Sequence, residues 1–205
     1  MLLGHTPSTW AQSVEDVDAP IGRFVIDLHG LVVPWGKNQD LAIVRGFAPS
    51  TQPNLGLGIG SGAHFYLLRW RFVTVGLGAN ILHASGNQSQ GPDDPFPSAP
   101  PLRKTLTMVG SQLSLNFGRR NGWSYVSAGP GTSILSLYDL NNSKPSQRST
   151  CTFNYGGGAR WFTSEHLAFA LDLRFYNAGP LQTTDTEPGS QRIKTMVLSI
   201  GASFK

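Results

Sequence analysis

From residue 22 onward, apolar residues alternate with small or polar ones at a period of two, and clusters of Gly, Pro, Asn, Asp and Ser interrupt the alternation at intervals. Successive strand residues point to opposite faces, so this pattern predicts strands with two unlike faces. Eight runs fit, near 22–33, 54–68, 71–83, 104–118, 123–137, 152–163, 167–177 and 192–204. Their separators alternate in length. Arg69-Trp70, Arg119-Arg120-Asn121-Gly122 and Ser164-Glu165-His166 are short, whereas 34–53, 84–103, 138–151 and 178–191 are long and polar. Tight connections join antiparallel neighbours, which makes the order an up-and-down meander with turns at one rim and loops at the other. The 84–103 connection is rich in Pro and polar residues and reads as water-exposed. Leu41-Ala42-Ile43-Val44 is apolar enough to extend the sheet or to add a further strand.

The composition of the two faces decides the class. One carries Phe24, Ile26, Leu28; Leu57, Ile59, Phe65, Leu67; Val75, Leu77, Ile81; Leu113, Leu115, Phe117; Leu167, Phe169, Leu171, Leu173, Phe175; and Met196, Leu198, Ile200, Phe204. The other carries Asp27, His29; Gly56, Gly58, Gly60, Gly62, His64; Thr74, Gly76, Gly78, Asn80; Gln112, Ser114, Asn116; Gly156, Gly158, Arg160; and Asp172, Arg174. A soluble eight-stranded barrel shows the reverse, apolar inside and charged outside. The expected fold class is therefore all-β, a closed antiparallel up-and-down transmembrane β-barrel of eight strands, with short turns periplasmic and long loops outside. The fifth run is ambiguous in phase, because Gly, Ser and Pro occupy both parities. Aromatics gather near the run ends: Phe24, Phe65, Trp70, Phe72, Phe117, Trp123, Tyr125, Trp161, Phe162 and Phe204 at the turn rim, with Trp35, Tyr138, Phe153, Tyr155, Phe175 and Tyr176 opposite. That distribution predicts interfacial belts.

Composition removes several functions. No apolar run is long enough for a transmembrane helix, and the net charge of +4 is scattered, so nucleic acid is not an expected partner. The single Cys151 allows no intramolecular disulfide and no metal cluster, and no cofactor motif is present: the Gly-x-Gly runs from Leu55 to Gly62 alternate like a strand, with no helix after them. One domain, residues 22–205, accounts for the barrel. Residues 1–21 are expected to be residual leader or periplasmic segment. Met1 to Pro7 lacks a basic and an apolar signal region, while Thr9-Trp10-Ala11-Gln12 resembles the end of a cleavage site, with mature protein beginning near Gln12; a non-exported chain is the alternative.

Charged residues on the small face are the candidate site. Asp27, His29, His64, Arg160, Asp172 and Arg174, with the Asn and Gln set, are expected to form a buried ion network in the lumen, since eight strands leave room for packed side chains or one small ligand. Across the Ser164-Glu165-His166 turn, Asp172 should pair with Gly158 and Arg174 with Gly156. The network either holds the barrel together as a plug or forms a proton or ion path.

The segment Asn154-Tyr155-Gly156-Gly157-Gly158-Ala159-Arg160-Trp161-Phe162, followed by the turn and by Leu167-Ala168-Phe169-Ala170-Leu171-Asp172-Leu173-Arg174-Phe175-Tyr176, resembles the penultimate hairpin of small bacterial outer-membrane β-barrel proteins, the porin-like barrel family. The resemblance extends more weakly from Leu55 to Phe204. It implies location in the bacterial outer membrane, contact with outer-membrane lipid, folding by the barrel assembly machinery with Phe204 in the C-terminal assembly signal, and a monomer. It implies a structural or surface-binding role without catalytic residues or enzyme activity, in which the long loops meet an external ligand or surface partner. A narrow porin-like channel is the first alternative. A lipid A deacylase-like hydrolase is the second, but where those enzymes carry His-x-Ser-Asn this chain has Tyr176-Asn177-Ala178-Gly179-Pro180; a different His-x-Ser, His83-Ala84-Ser85, lies at the end of the third run.

Overall fold

The computed structural model describes residues 20–36, 39, 42, 47–88, 101–141, 148–184 and 189–205. Eight strands follow in order: β1 (Phe24–Pro34), β2 (Leu55–Trp70), β3 (Val73–Gln88), β4 (Leu102–Arg119), β5 (Gly122–Asp139), β6 (Thr150–Phe162), β7 (Leu167–Ala178) and β8 (Ile193–Phe204). Each pairs antiparallel with the next, and β1 closes on β8 from Ile26↔Phe204 to Val32↔Leu198. Closure leaves no sheet edge. The expected leader over 1–21, apart from Pro20 and Ile21, and the Leu41-Ala42-Ile43-Val44 segment, apart from Ala42, lie outside the described residues.

The faces fall as the alternation predicts. On β7, for instance, Leu167, Phe169, Leu171 and Leu173 are exposed while Ala168, Ala170, Asp172 and Arg174 are buried. β5 has one phase, with Trp123, Tyr125 and Ser127 inward and Ser124 and Val126 outward. Two boundaries differ from expectation for local reasons. The β2–β3 turn is Arg71-Phe72, not Arg69-Trp70, because the register shifts between Tyr66 and Leu68; Leu67 and Leu68 then both face outward, and the parity that marked the end of the run is lost. Arg71 takes φ 54° to close that turn. β3, β4 and β5 also run further than the apolar pattern does, pairing as far as Gln88↔Leu102 and Leu102↔Asp139. There the outward residues become His83, Ser85 and Asn87 on β3 and Thr107, Thr105 and Arg103 on β4.

The outward apolar belt on β4 covers residues 109–117, close to the ~9–11 residues that a tilted strand needs to cross hydrocarbon. A closed barrel satisfies every ladder hydrogen bond internally, and such a belt is stable only against lipid. The chain is thus a transmembrane β-barrel of the outer-membrane type, with three strands continuing beyond the belt on the loop side.

The aromatic belts are thinner than expected. Phe24, Trp70, Phe72, Phe117, Trp161 and Phe204 do ring the turn side, but Trp123, Tyr125, Trp35 and Tyr176 point inward and are buried. The difference is measurable. In a Trp10→Phe background, brominated lipid should quench Trp70 (77% exposed) and Trp161 (50%) strongly, whereas Trp35 (4%) and Trp123 (3%) stay bright. Quenching that persisted after Trp70→Phe and Trp161→Phe would mean the inward aromatics reach lipid.

Candidate functional site: the barrel lumen

Along β1 the inward side chains run Val25, Asp27, His29, Leu31, Val33, an ionisable layer between two apolar ones. The other strands repeat that layering. In the middle, Arg160 on β6 reaches across the lumen to Asp27 on β1 as a fork: Nε donates to Oδ1 at 3.0 Å and Nη2 to Oδ2 at 2.6 Å. Ser203 on β8 donates its hydroxyl to Asp27 Oδ1, and His64 Nε2 stands 3.7 Å from Oδ2. The guanidinium lies 4.3 Å above the Tyr125 ring, adding a cation–π contact.

A second group sits on β7 and its neighbours. Arg174 Nη2 donates to Asp172 Oδ2 at 3.1 Å and to Ser127 Oγ at 2.9 Å, while Nη1 donates to Asn154 Oδ1 at 3.0 Å. Tyr125 donates its hydroxyl to Asp172 Oδ2 at 2.7 Å. The two acids and two arginines are thus paired one to one, and each is almost fully buried. Buried charges need such partners and extra hydrogen bonds to offset desolvation. A cavity of about 40 Å³ remains beside this layer, lined among others by Asp27, His29, His64, Gln112, Asp172 and Arg174. It has room for a few waters.

Apolar clusters lie on both sides. Towards the turns, Ile21, Val25, Tyr66, Trp123 and Tyr125 pack together, with Tyr66 edge-on to Trp123 and Trp123 stacked on Phe162. Towards the loops, Leu31, Val33, Trp35, Leu82, Leu106, Met108, Tyr176 and Val197 form a larger cluster. The inward face is therefore not uniformly small and polar. The lumen glycines explain how the rings fit: a Cβ at Gly56 would stand 2.6 Å from the Trp35 ring, at Gly76 2.9 Å from Tyr66, at Gly78 2.4 Å from His64, and at Gly158 2.8 Å from the Tyr125 hydroxyl. Tyr66, His64 and Tyr125 are the direct cross-strand partners of Gly76, Gly78 and Gly158, so each ring lies over the glycine beside it. Glycine here makes room for aromatic rings more than for charges.

Of the sequence-predicted residues, Asp27, His64, Arg160, Asp172 and Arg174 come together in the central layer. His29 lines the same cavity, and its Nε2 has no hydrogen-bond partner among the described residues. The ladder sets Asp172 opposite Gly158 and Arg174 opposite Gly156. Phe204 is exposed at the end of β8, paired with Ile26 and Leu167. Tyr125, Ser127, Asn154 and Ser203 complete the network. Of these, Tyr125 resembles a belt residue in the sequence and Ser127 falls in the run whose phase is ambiguous; a glycine facing each across the ladder, Gly158 and Gly156, is the available signal. His83 and Ser85 both point outward, with Ala84 buried between them; His83 Nδ1 is bonded to Thr107 Oγ1 at 2.8 Å, and among the described residues its ring contacts no carboxylate. Cys151 is exposed on β6, and among the described residues no cluster of metal-ligating side chains occurs.

No protein-family model and no curated protein sequence matches the chain. Solved structures do. Neisserial surface protein A superposes with a TM-score of 0.52 at 12% identity, over 89% of this chain and 96% of that one. The N-terminal β-barrel domain of Pseudomonas aeruginosa OprF gives a TM-score of 0.47 at 12% identity, over 89% and 96%. Ail, the attachment invasion locus protein of Yersinia pestis, gives 0.47 at 12% identity, over 90% and 98%. At these identities the likeness is one of fold.

Proposed function

Starting from the premise that the chain is an eight-stranded barrel of the bacterial outer membrane, we propose that it is a non-enzymatic structural or surface-binding protein whose lumen stays closed to solutes. The observation that carries this reading is the central layer of two buried ion pairs, Asp27 with Arg160 and Asp172 with Arg174, held between two apolar clusters beside a cavity of only about 40 Å³. A conducting path would have to break those pairs and part both clusters. The external partner meets the loop rim, where β3, β4 and β5 rise beyond the lipid belt, β3 and β4 flanking the long connection between Gln88 and Leu102 and β5 ending at Asp139. The barrel works as a monomer, is inserted by the barrel assembly machinery through the strand ending at Phe204, and begins near residue 22 after a leader or periplasmic segment. No observation favours a hydrolase: His83 is engaged by Thr107, and among the described residues no acid orients it.

Planar-bilayer recording tests the closed lumen. Wild-type protein is expected to give no stable conductance, and Asp172→Asn and Arg174→Ala are expected to weaken the fold without opening a channel. A steady wild-type conductance altered by either substitution would replace this reading with the narrow pore.

A further inference from the structure

The rim opposite the long loops is strongly basic. Arg23 precedes β1, Arg69 lies near the end of β2, Arg71 forms the next turn, Arg119 ends β4, Arg120 follows it, and Lys205 follows β8. Against these six cations, Glu165 in the β6–β7 turn is the single acidic side chain at this rim among the described residues. The cations converge from separate elements. One recess of about 490 Å³ is walled by Arg23, Arg69, Arg120 and Lys205 together with Glu165, and a second of about 350 Å³ by Arg69, Arg71 and Arg119 with no acid among the described residues of its lining. Arg69 is anchored on the Ile21 carbonyl and Lys205 on the Arg120 carbonyl, and Arg119 and Arg120 are engaged as well.

Their neighbours in the chain set their depth. Arg23 adjoins Phe24, Arg69 adjoins Trp70, Arg71 adjoins Phe72, Arg119 follows Phe117 by two residues, and Lys205 adjoins Phe204. All five aromatics are exposed, Trp70 by 77% and Phe72 by 73%. Aromatic side chains settle at the membrane–water interface, so they hold the cations at the level of the headgroups in the leaflet that faces the periplasm. Guanidinium groups match phosphate oxygens as a planar fork. We propose that this rim is a binding site for anionic phospholipid headgroups, which would collect a shell of phosphodiester lipids with net negative charge around the turns. The proposal is independent of whether the lumen conducts.

Native mass spectrometry on barrel released from nanodiscs of equimolar phosphatidylglycerol and phosphatidylethanolamine tests it. Wild type is expected to retain phosphatidylglycerol at least tenfold over phosphatidylethanolamine. Each removed charge should weaken that preference by about fivefold, so Arg69→Gln/Arg71→Gln/Arg119→Gln should abolish it. Lys194→Gln, at the opposite rim, should leave it unchanged. If the triple variant fails the heat-modifiability gel shift that reports a folded barrel, single Arg71→Gln and a salt titration of wild type decide instead; both should lower the preference. Equal retention of the two lipids by wild type would overturn the proposal, as would a preference that survives both charge removal and salt. It would also fall if wild type showed no preference until Glu15→Gln/Asp16→Asn/Asp18→Asn were introduced, since the chain's own acidic stretch would then be the occupant, or if the rim bound purified peptidoglycan while ignoring the lipid.

Discussion

Arg160→Met should lower the unfolding free energy of the barrel by about 3–5 kcal/mol, the range for stranding one member of a buried ion pair. The substitution keeps most of the side-chain volume in a site where Arg160 is 1% exposed, so the loss is electrostatic rather than a cavity. Asp27 would then keep only the Ser203 hydroxyl and the more distant His64 in place of a two-pronged guanidinium. Urea unfolding in lipid vesicles, followed by Trp fluorescence and by heat-modifiable gel migration, gives the shift. Asp27→Leu combined with Arg160→Met removes both charges together and should recover most of the loss, because a well-packed apolar pair avoids the desolvation that the ions undergo. A single variant as stable as wild type would mean that the pair sits in water, and the closed-lumen reading would lose its support.

The barrel was legible because its information is local. Parity within each run separates Asp27 from Ile26 and Asp172 from Leu171, and a short turn sets Asp172 opposite Gly158 without knowledge of the other strands. What escaped the sequence depends on neighbours far apart in the chain. Trp123 and Tyr125 look like belt aromatics when β5 is read alone, since Ser and Gly flank them at both parities. Only the facing strand distinguishes the cases: Gly158 on β6 leaves the hole that the Tyr125 ring occupies. Register slips hide in the same way. The shift at Leu67 is a property of the β2–β3 ladder, and no residue type announces it. The upper end of β3 escaped because it lies beyond the lipid belt, where outward Ser85 and Asn87 give no apolar contrast to read; β4 and β5 overrun their expected ends by only two residues there.

Trp35 offers a test in which the same substitution should change sign. Its indole is buried just past β1 in the outer apolar cluster, against the Cα of Gly56 and near Gly86, with Lys104 Nζ 5.5 Å from the ring centroid. Trp35→Ala should cost about 3–5 kcal/mol, as truncation of a large buried aromatic does when the walls cannot collapse. Strands held in a closed ladder are such walls. Gly56→Leu in wild type should also destabilise, by about 1–3 kcal/mol, because its Cβ alone would come within 2.6 Å of the indole. The three nearest atoms to that Cβ all belong to the Trp35 side chain, so the clash has one cause. In the Trp35→Ala background Gly56→Leu therefore places apolar volume in an empty slot and should raise stability. Denaturant midpoints for the four proteins of this cycle give the coupling directly. Additive losses, with Gly56→Leu harmful in both backgrounds, would show that the glycine serves the backbone of β2 rather than the seat of Trp35.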